Sequence, residues 1–480
     1  MSDSPETWID IQISKILDMW EESSKDDLTR MLMRALHYHI VPAIYSVSRK
    51  QLLLDALHFN KKIKLNRFNS LSRIALHLIH IFSWNIKWLF FPLFVQRSSE
   101  IIICSLNTER IVSKNYLMNI HHYAKENNAV VVQYGTFTSF YKLFSLDIFS
   151  CPSYLIRFKK YKKQGSQDRK LIFSTLADIC KKKLDLQNVD FQNQQKYLIL
   201  YQKLFFEFSN FVTQLARKKK ICCLIQDGGY TSTKILYSYS ASQMNIPIVT
   251  LDHSIIIYDH LYKNDISDYY FCWGEYSKNR MQNLSLVKPK IYIISRPDVN
   301  LDFEKRQGER KYAVYFLPAF HNPMLQSANR SLSYSILMIR RIEQILSELF
   351  PSLSLLVKPH PVDDPRHYKS LGLNLYSKQL KIIIPSIGFL FSEDSTITLE
   401  LLKYNIPLVY LLDKSEEDIY NFNKFNLKHM ISNYANIQKT MENYFFQGSQ
   451  YRDKKRMFKY YFGENVGNEF GLYHKMKQVF

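Results

Sequence analysis

The residues best suited to chemistry stand in two short polar segments. The first is Lys358–Pro361, which reads Lys-Pro-His-Pro and directly follows an apolar run, Leu353–Val357. Lys358 supplies a mobile cation, and His360 supplies a hydrogen-bond donor whose charge can change near neutral pH. A cation and a donor at the end of an apolar run are suited to holding a phosphate group.

The second polar segment, Ser392–Thr396, also follows an apolar run and leads into a helix-like sequence. Its residues Asp394, Ser395 and Thr396 are of the types that cap the start of a helix. A helix N-terminus offers free N–H groups and the positive end of its dipole to an anion. Glu400 lies on the same helix, where its carboxylate can accept hydrogen bonds from ribose hydroxyls. The two segments together predict a site for a nucleotide phosphate.

Parallel strands are the elements that would bring these segments together. Strand, polar tip, helix and strand follow one another here, which is the pattern of a parallel α/β layer whose polar tips meet at one edge. An upstream stretch repeats the pattern, with a strand at Ile221–Ile225, a helix at Thr231–Asn245 and a strand at Ile246–Leu251. Further strand-like runs are Glu100–Asn107, Ala129–Gly135, Asp268–Gly274, Ile291–Ile294 and Tyr312–Pro318.

Two residues at the upstream strand ends are rival candidates for a general base. Asp227 follows the first of these strands, and His253 follows the second. Either side chain can accept the proton of a hydroxyl as a bond forms to that oxygen. Asp227 also precedes two glycines, and Asp-Gly is a common turn sequence without any catalytic role.

Three more strand-end residues complete the predicted cleft. Gly228 belongs to the turn after Asp227, Gly274 ends the run 268–274, and Arg296 follows the run 291–294. No set of cysteines, histidines and carboxylates has the spacing of a zinc site, so no metal is predicted.

These motifs resemble the C-terminal domain of bacterial GT-B glycosyltransferases. The resemblance rests on Lys-Pro-His-Pro at 358–361, followed by Ser-x-Asp-Ser-Thr-x-x-x-Glu at 392–400, and it covers Ile221–Phe462. The most similar families build surface polysaccharides: capsule Kdo and sialic acid transferases, and CDP-glycerol glycerophosphotransferases. The resemblance implies that a set of polar side chains binds the donor, namely Lys358, His360, Asp394, Ser395, Thr396 and Glu400.

A second likeness concerns the candidate bases. Gln226-Asp227-Gly228 together with His360-Pro361 resembles the acidic-acidic-Gly and His-Pro elements of bacterial sialyltransferases, except that Gln226 replaces the first acid. His253 stands where related families often carry His-Gly, and here Ser254 replaces that glycine. The pairing favours CMP-sialic acid or CMP-Kdo as the first donors to consider.

The resemblance implies an α/β fold of the GT-B type, with two Rossmann-type domains facing a cleft and a mainly helical N-terminal extension. The predicted domains are the extension 1–97, an acceptor domain 98–300 with a basic helical insertion 155–220, and a nucleotide-donor domain 301–480 that ends in helices. The predicted enzyme transfers a sugar from a nucleotide-sugar donor to a cell-surface glycan or glycolipid, as in capsule or lipopolysaccharide synthesis. It needs neither metal nor cofactor.

Composition bounds the partners. The 480 residues include 64 Lys plus Arg against 43 Asp plus Glu, a formal charge of +21. Such a charge favours anionic partners, among them acidic glycans and an anionic membrane surface. The aromatic segment Ile79–Val95 is interpreted either as an interfacial membrane element or as a buried helix. The six cysteines lack Cys-x-x-Cys spacing and the N-terminus lacks a signal-peptide pattern, which together favour the cytoplasm, with peripheral attachment to the inner face of the plasma membrane.

Two other functions stay open at the level of sequence. A CDP-glycerol-type polyol-phosphate transferase shares the His-Pro element but moves phosphoglycerol instead of a sugar. A basic nucleic-acid-binding protein or a non-catalytic assembly protein would also fit the charge. Nucleic acid is disfavoured, because no recognised nucleic-acid motif accompanies the charge. No Gly-x-Gly-x-x-Gly or P-loop motif supports a dinucleotide-binding or P-loop fold either.

Overall fold

The computed structural model describes a defined subset of the chain, with gaps. The described residues are 95–106, 111–134, 148–151, 205–228, 232–252, 255, 265–284, 288–299, 309–318, 332–360, 365–369, 371–376, 380–393, 396–404, 406–412, 418, 420–446 and 451–480. Several predictions fall outside them: almost all of the extension 1–97 with Ile79–Val95, most of the insertion 155–220, and the site residues His253, Asp394 and Ser395.

The chain divides into two compact units. The N-terminal unit holds the described residues up to Val299 together with the C-terminal segment Asn465–Phe480, and the C-terminal unit is Asn300–Glu464. The prediction placed all residues after 301 in one domain, whereas the structure groups the last segment with the N-terminal unit.

The N-terminal unit contains a parallel sheet of seven strands in the order β3-β2-β1-β4-β5-β6-β7. Its strands are β1 Glu100–Ser105, β2 Ala129–Tyr134, β3 Ile148–Cys151, β4 Lys220–Asp227, β5 Ile248–Leu251, β6 Tyr269–Cys272 and β7 Lys290–Ile293. The helices between them are α1 Ile111–Glu126, α2 Ser232–Gln243 and α3 Glu275–Leu284, and residues 205–216 are also helical. β1 and β4 are buried along nearly their whole length, which is why they read as continuous apolar runs.

The C-terminal unit contains a second parallel sheet, of five strands in the order β12-β11-β10-β8-β9. Its strands are β8 Tyr312–Phe316, β9 Ser354–Lys358, β10 Ile387–Ser392, β11 Leu408–Leu411 and β12 Ile431–Ser432. Its helices are α4 Leu332–Leu349, α5 Arg366–Lys369, α6 Ile397–Leu401, α7 Ile437–Phe446 and α8 Tyr451–Phe462, with short 3₁₀ turns at Leu380–Ile382, Ile384–Ser386, Phe422–Phe425 and Lys428–Met430.

The core of the C-terminal unit explains why α4 forms where it does. Met338, Ile342 and Ile345 recur at helical spacing on α4, and each is completely buried. They share one apolar cluster with Phe389 and Phe391 from the central strand β10. Two parallel sheets flanked by helices confirm the predicted fold class of two Rossmann-type α/β units.

The last helix, α9 Gly471–Val479, packs against α1 of the N-terminal unit. Buried Asn119 of α1 accepts the N–H of Tyr473 at 3.0 Å and donates to the carbonyl of Glu469 at 2.5 Å. The Tyr473 hydroxyl donates to Glu126 at 2.6 Å. These contacts anchor the C-terminal segment on α1, whereas α7 and α8 stay in the C-terminal unit.

Gly471→Ala should destabilise the N-terminal unit, because a β-carbon at this position would lie 2.6 Å from the backbone oxygen of Ile294. A backbone atom cannot rotate aside as a side chain can, so we expect a loss of about 1–3 kcal/mol in the free energy of unfolding. Urea unfolding measures this loss. Gln478→Ala, on an exposed position of the same helix, is the control, and an equal effect of both changes would contradict the expected overlap.

No helix in the described part of the chain is long and apolar enough to cross a membrane. Cys104, Cys222, Cys223 and Cys272 are buried free thiols.

Candidate functional site

The C-terminal sheet reverses its strand order between β8 and β10. The chain passes from β8 outward to β9 and then returns to form β10 on the other side of β8. In open α/β sheets, ligands bind outside the carboxyl ends of the strands at such a switch point. The edge formed by the ends of β8, β9 and β10 is therefore the candidate binding site of this unit.

Lys358 lies at this edge as the last residue of β9. Phe316 of β8 pairs with Lys358 of β9 on one side and with Ser392 of β10 on the other. Lys358 and Ser392 therefore lie at the same height along the strands, on either side of β8. Two strand spacings separate their backbones by about 10 Å. Burial lowers the pKa of Lys358, and its ammonium lies 5.7 Å from the centre of the Tyr376 ring.

His360 follows two residues later and is partly buried, while Pro359 between them is buried. Lys358 is also partly buried. Of the predicted Lys-Pro-His-Pro segment, Lys358 thus ends β9, and Pro359 and His360 lie directly beyond it. The donor-binding role of Lys358 and His360 stays a prediction.

The second predicted segment differs from expectation at its helix start. Thr396 precedes α6, but its side chain makes no capping hydrogen bond, and its own backbone is helical with φ −58° and ψ −20°. A capping side chain acts from an extended residue, so the capping prediction is wrong for Thr396. Its carbonyl instead accepts the N–H groups of Leu399 and Glu400, at 3.2 and 3.4 Å.

α6 itself is shorter than the sequence pattern indicated. It spans only Ile397–Leu401, although the helix-like pattern continued to about residue 405. Its short length reduces the dipole contribution expected for an anion at its start. Glu400 lies within α6 and is partly buried.

Glu393 belongs to the second segment but was given no role in the sequence prediction, and it is completely buried. Its Oε1 accepts hydrogen bonds from the Tyr315 hydroxyl and, at 2.5 Å, from the Ser335 hydroxyl. From sequence, a glutamate among polar neighbours is predicted to lie at the surface, and only the folded structure shows that Glu393 is buried.

The N-terminal sheet has its own switch point, between β1 and β4. Asp227 ends β4 there and is 5% exposed. Its Oδ1 accepts a hydrogen bond from Lys234 Nζ at 2.8 Å, and its Oδ2 accepts one from Ser113 Oγ at 2.7 Å. Lys234 also donates to Ser105 Oγ, at the end of β1, at 3.2 Å. This switch point therefore contains a buried ion pair, and each of its two partners also forms a hydrogen bond with a serine.

This geometry changes how Asp227 would act. The sequence analysis expected a carboxylate facing a cleft, whereas both of its oxygens accept hydrogen bonds inside the unit. Lys234 and Ser113 were not foreseen, because nothing in the local sequence distinguishes them from the other polar residues of their helices. The role of Asp227 as a base stays a prediction.

The three other predicted cleft residues have structural partners in the N-terminal unit. Gly228 has φ +59°, in the left-handed region that favours glycine, and donates its N–H to Leu251. The Gly274 carbonyl accepts the N–H of Lys278 at the start of α3. Arg296 Nε lies 2.8 Å from Asp298, and its guanidinium lies over the Trp273 ring at 4.7 Å. Arg296 is thus held by neighbours in its own unit.

A second buried carboxylate, Asp252, directly follows the neighbouring strand β5 and directly precedes His253 in sequence. Its side chain accepts hydrogen bonds from the Tyr270 hydroxyl at 2.6 Å and the Trp273 backbone N–H at 3.1 Å. Its carbonyl accepts the Tyr116 hydroxyl at 2.8 Å. Burial raises the pKa of Asp252 to about 6, although these side-chain hydrogen bonds oppose the shift.

This raised pKa should make stability fall with rising pH. Folded Asp252 keeps its proton up to about pH 6, whereas the unfolded residue loses it near 3.8. The folded state therefore binds more protons between these values, and a full shift of this size costs about 3 kcal/mol. Urea unfolding between about pH 4 and pH 6 should show a smaller decrease for Asp252→Asn than for the wild type. Identical slopes would contradict this assignment.

Within the described ranges, no group of three His, Cys, Asp or Glu side chains is placed to hold a metal ion. The residues suited to an anionic ligand are those at the end of β9.

Comparison with solved structures finds matches at low sequence identity. MurG of Acinetobacter baumannii shares 9% identity at a TM-score of 0.40, covering 79% of this chain and 100% of that one. The UDP-GlcNAc 2-epimerase of Neisseria meningitidis shares 11% at 0.44, covering 79% and 100%. The α,α-trehalose-phosphate synthase of Burkholderia vietnamiensis shares 11% at 0.41, covering 80% and 97%.

At these identities and TM-scores, the similarities identify neither a family nor an activity for this chain. No protein-family profile and no curated protein sequence matches it. The function is therefore argued from the chemistry of the site.

Proposed function

We propose that this chain is a GT-B-type glycosyltransferase that moves a sugar from a nucleotide-activated donor to a cell-surface glycan or glycolipid. The observation that carries the proposal is the placement of Lys358 and Ser392 on either side of Phe316, at the carboxyl edge where the C-terminal sheet reverses its order. The Lys-Pro-His-Pro resemblance supplies the reaction class.

In this proposal the donor nucleotide binds at the C-terminal unit. Lys358 and His360 contact its phosphate, together with Ser395 and Thr396 from the second segment. Asp394 belongs to the same donor-binding set, and Glu400 accepts hydrogen bonds from the ribose. CMP-sialic acid and CMP-Kdo are the first donors to test, because Asp-Gly and His-Pro occur together in the sequence. Capsule and lipopolysaccharide synthesis are the pathways that use such transfers.

The transfer itself needs a base and an electrophilic partner for the leaving group. A base, Asp227 or His253, removes the proton of the acceptor hydroxyl as its oxygen bonds to the donor sugar. The bond from the sugar to the nucleotide phosphate breaks, and the phosphate leaves with the electron pair. The positive charge of Lys358 and a hydrogen bond from His360 offset the negative charge that develops there.

The acceptor and the location are proposed from charge. The formal charge of +21 favours an acidic glycan and an anionic membrane surface as partners. We therefore place the protein in the cytoplasm, with peripheral attachment to the inner face of the plasma membrane. Attachment of this kind should weaken as salt increases.

The test is thermal stabilisation of the purified protein by CMP, CDP, UDP, GDP, their sugar conjugates and CDP-glycerol, run beside His360→Ala. A ligand that binds only the folded state raises the melting temperature by mass action. A shift with a CMP nucleotide that disappears in His360→Ala supports the proposal. A response to CDP-glycerol alone would favour the polyol-phosphate transferase, and no response to any nucleotide would contradict the proposal.

A further inference from the structure

Glu393 has no role in the proposed reaction, yet it is completely buried beside the switch point of the C-terminal unit. Burying a carboxylate is unfavourable unless hydrogen bonds replace its lost water. Two hydroxyl groups supply them: those of Tyr315 and Ser335 both donate to Glu393 Oε1. Both donor residues are themselves completely buried.

The three residues come from three elements that frame the site. Tyr315 lies in β8, Ser335 lies in the first turns of α4, and Glu393 directly follows β10. The Glu393 side chain therefore joins the end of β10 to β8 and to α4.

The backbone of Glu393 makes a second set of contacts. Its carbonyl accepts hydrogen bonds from Thr398 Oγ1 at 3.1 Å and from Ser392 Oγ at 3.2 Å. Thr398 belongs to α6, so these bonds tie the beginning of α6 to the end of β10. In the sequence, the proposed donor-binding residues Asp394 and Ser395 come between Glu393 and Thr398.

We propose that Glu393 is a positioning residue, which fixes the start of α6 relative to β8 and α4 so that Thr396 and Glu400 can hold the donor. The inference rests on the proposed function for the identity of the ligand. Holding a binding group in place through buried neighbours lowers the cost of ordering it when the ligand binds.

Two variants test this: Glu393→Gln, which keeps the shape but removes the charge, and Tyr315→Phe, which removes one hydroxyl donor and keeps the carboxylate. The matched control is Tyr461→Phe. Tyr461 is equally buried in the same unit, and its hydroxyl donates to the carbonyl of Tyr420 at 2.9 Å. Tyr315→Phe also keeps the proposal testable where Glu393→Gln fails to fold.

The first measurement is amide hydrogen exchange of peptides spanning 392–402, which needs no ligand. The second is the dissociation constant of CMP, with KM and kcat for CMP-sialic acid and CMP-Kdo. We expect faster exchange in both variants and a rise of between about 10-fold and 100-fold in the dissociation constant and KM, with kcat less affected. The control should change neither quantity.

Unchanged exchange, or faster exchange with unchanged CMP affinity, would overturn the proposal. Equal loosening in Tyr461→Phe would also overturn it, because the effect would then be general destabilisation. If the wild-type protein binds no nucleotide, the proposed function itself is overturned. The exchange rates then decide separately whether Glu393 fixes the start of α6.

Discussion

Replacing Lys234 by methionine should lower the free energy of unfolding by about 3–5 kcal/mol, because it leaves a buried carboxylate without its partner charge. In the native protein Lys234 Nζ lies 2.8 Å from Asp227 Oδ1, and the two side chains are 10% and 4% exposed. Methionine fills a similar volume, so the loss reports mainly on charge. Urea unfolding of the purified protein measures it.

The chain supplies a matched control at the opposite end of β4. Lys220 begins β4 and pairs with Glu100 of β1 at 2.6 Å, but its side chain is 76% exposed. Lys220→Met should therefore cost less than about 1 kcal/mol. A loss in Lys234→Met no greater than in this control would contradict a strong buried pair.

The double variant Asp227→Asn with Lys234→Met separates structure from catalysis. Removing both charges should recover much of the lost stability, since neither charge is left unpaired. If Asp227 is also the base, this variant folds but transfers no sugar. Full transfer activity in it would leave His253 as the remaining candidate.

The second large effect is expected for Lys358→Ala, which should weaken nucleotide binding by about 10-fold to 100-fold. A charge-assisted hydrogen bond to phosphate contributes about 1.5–3 kcal/mol, and each 1.4 kcal/mol is about tenfold in affinity. Isothermal titration with CMP measures the change. Lys311→Ala is the control, because Lys311 precedes β8 at the opposite edge of the same sheet and is exposed.

The pH dependence of binding gives an independent check on the same side chain. Burial lowers the pKa of Lys358, so its charge is lost at a lower pH than that of an ordinary lysine. Affinity for CMP should therefore fall as pH rises through that lowered value. Lys358→Arg, which keeps its charge, should show no such fall. Equal pH profiles for both proteins would exclude Lys358 from the phosphate site.

The strands were predictable because buried parallel strands carry apolar side chains on both faces. Ile221–Ile225 lies inside β4, and Leu353–Val357 overlaps β9 almost completely. The polar residues at the strand ends followed from the same pattern, which is why Lys358 was placed correctly at the edge of the sheet.

The contacts of the candidate site were not predictable from local sequence. Ser113 and Asp227 are 114 residues apart, and Ser335 and Glu393 are 58 apart, so only the folded sheets bring them together. The capping prediction for Thr396 was wrong for a related reason. Its type favours capping, but its helical backbone turns the side chain away from that role.

The most direct test of the central claim is photocrosslinking of the wild-type protein with a photoreactive CMP analogue, followed by mass spectrometry of the labelled peptides. The proposed site predicts saturable labelling, blocked by excess CMP, in peptides containing Leu317, Lys358 or Glu393. Saturable labelling confined to peptides of the N-terminal unit, or the absence of any saturable labelling, would contradict it.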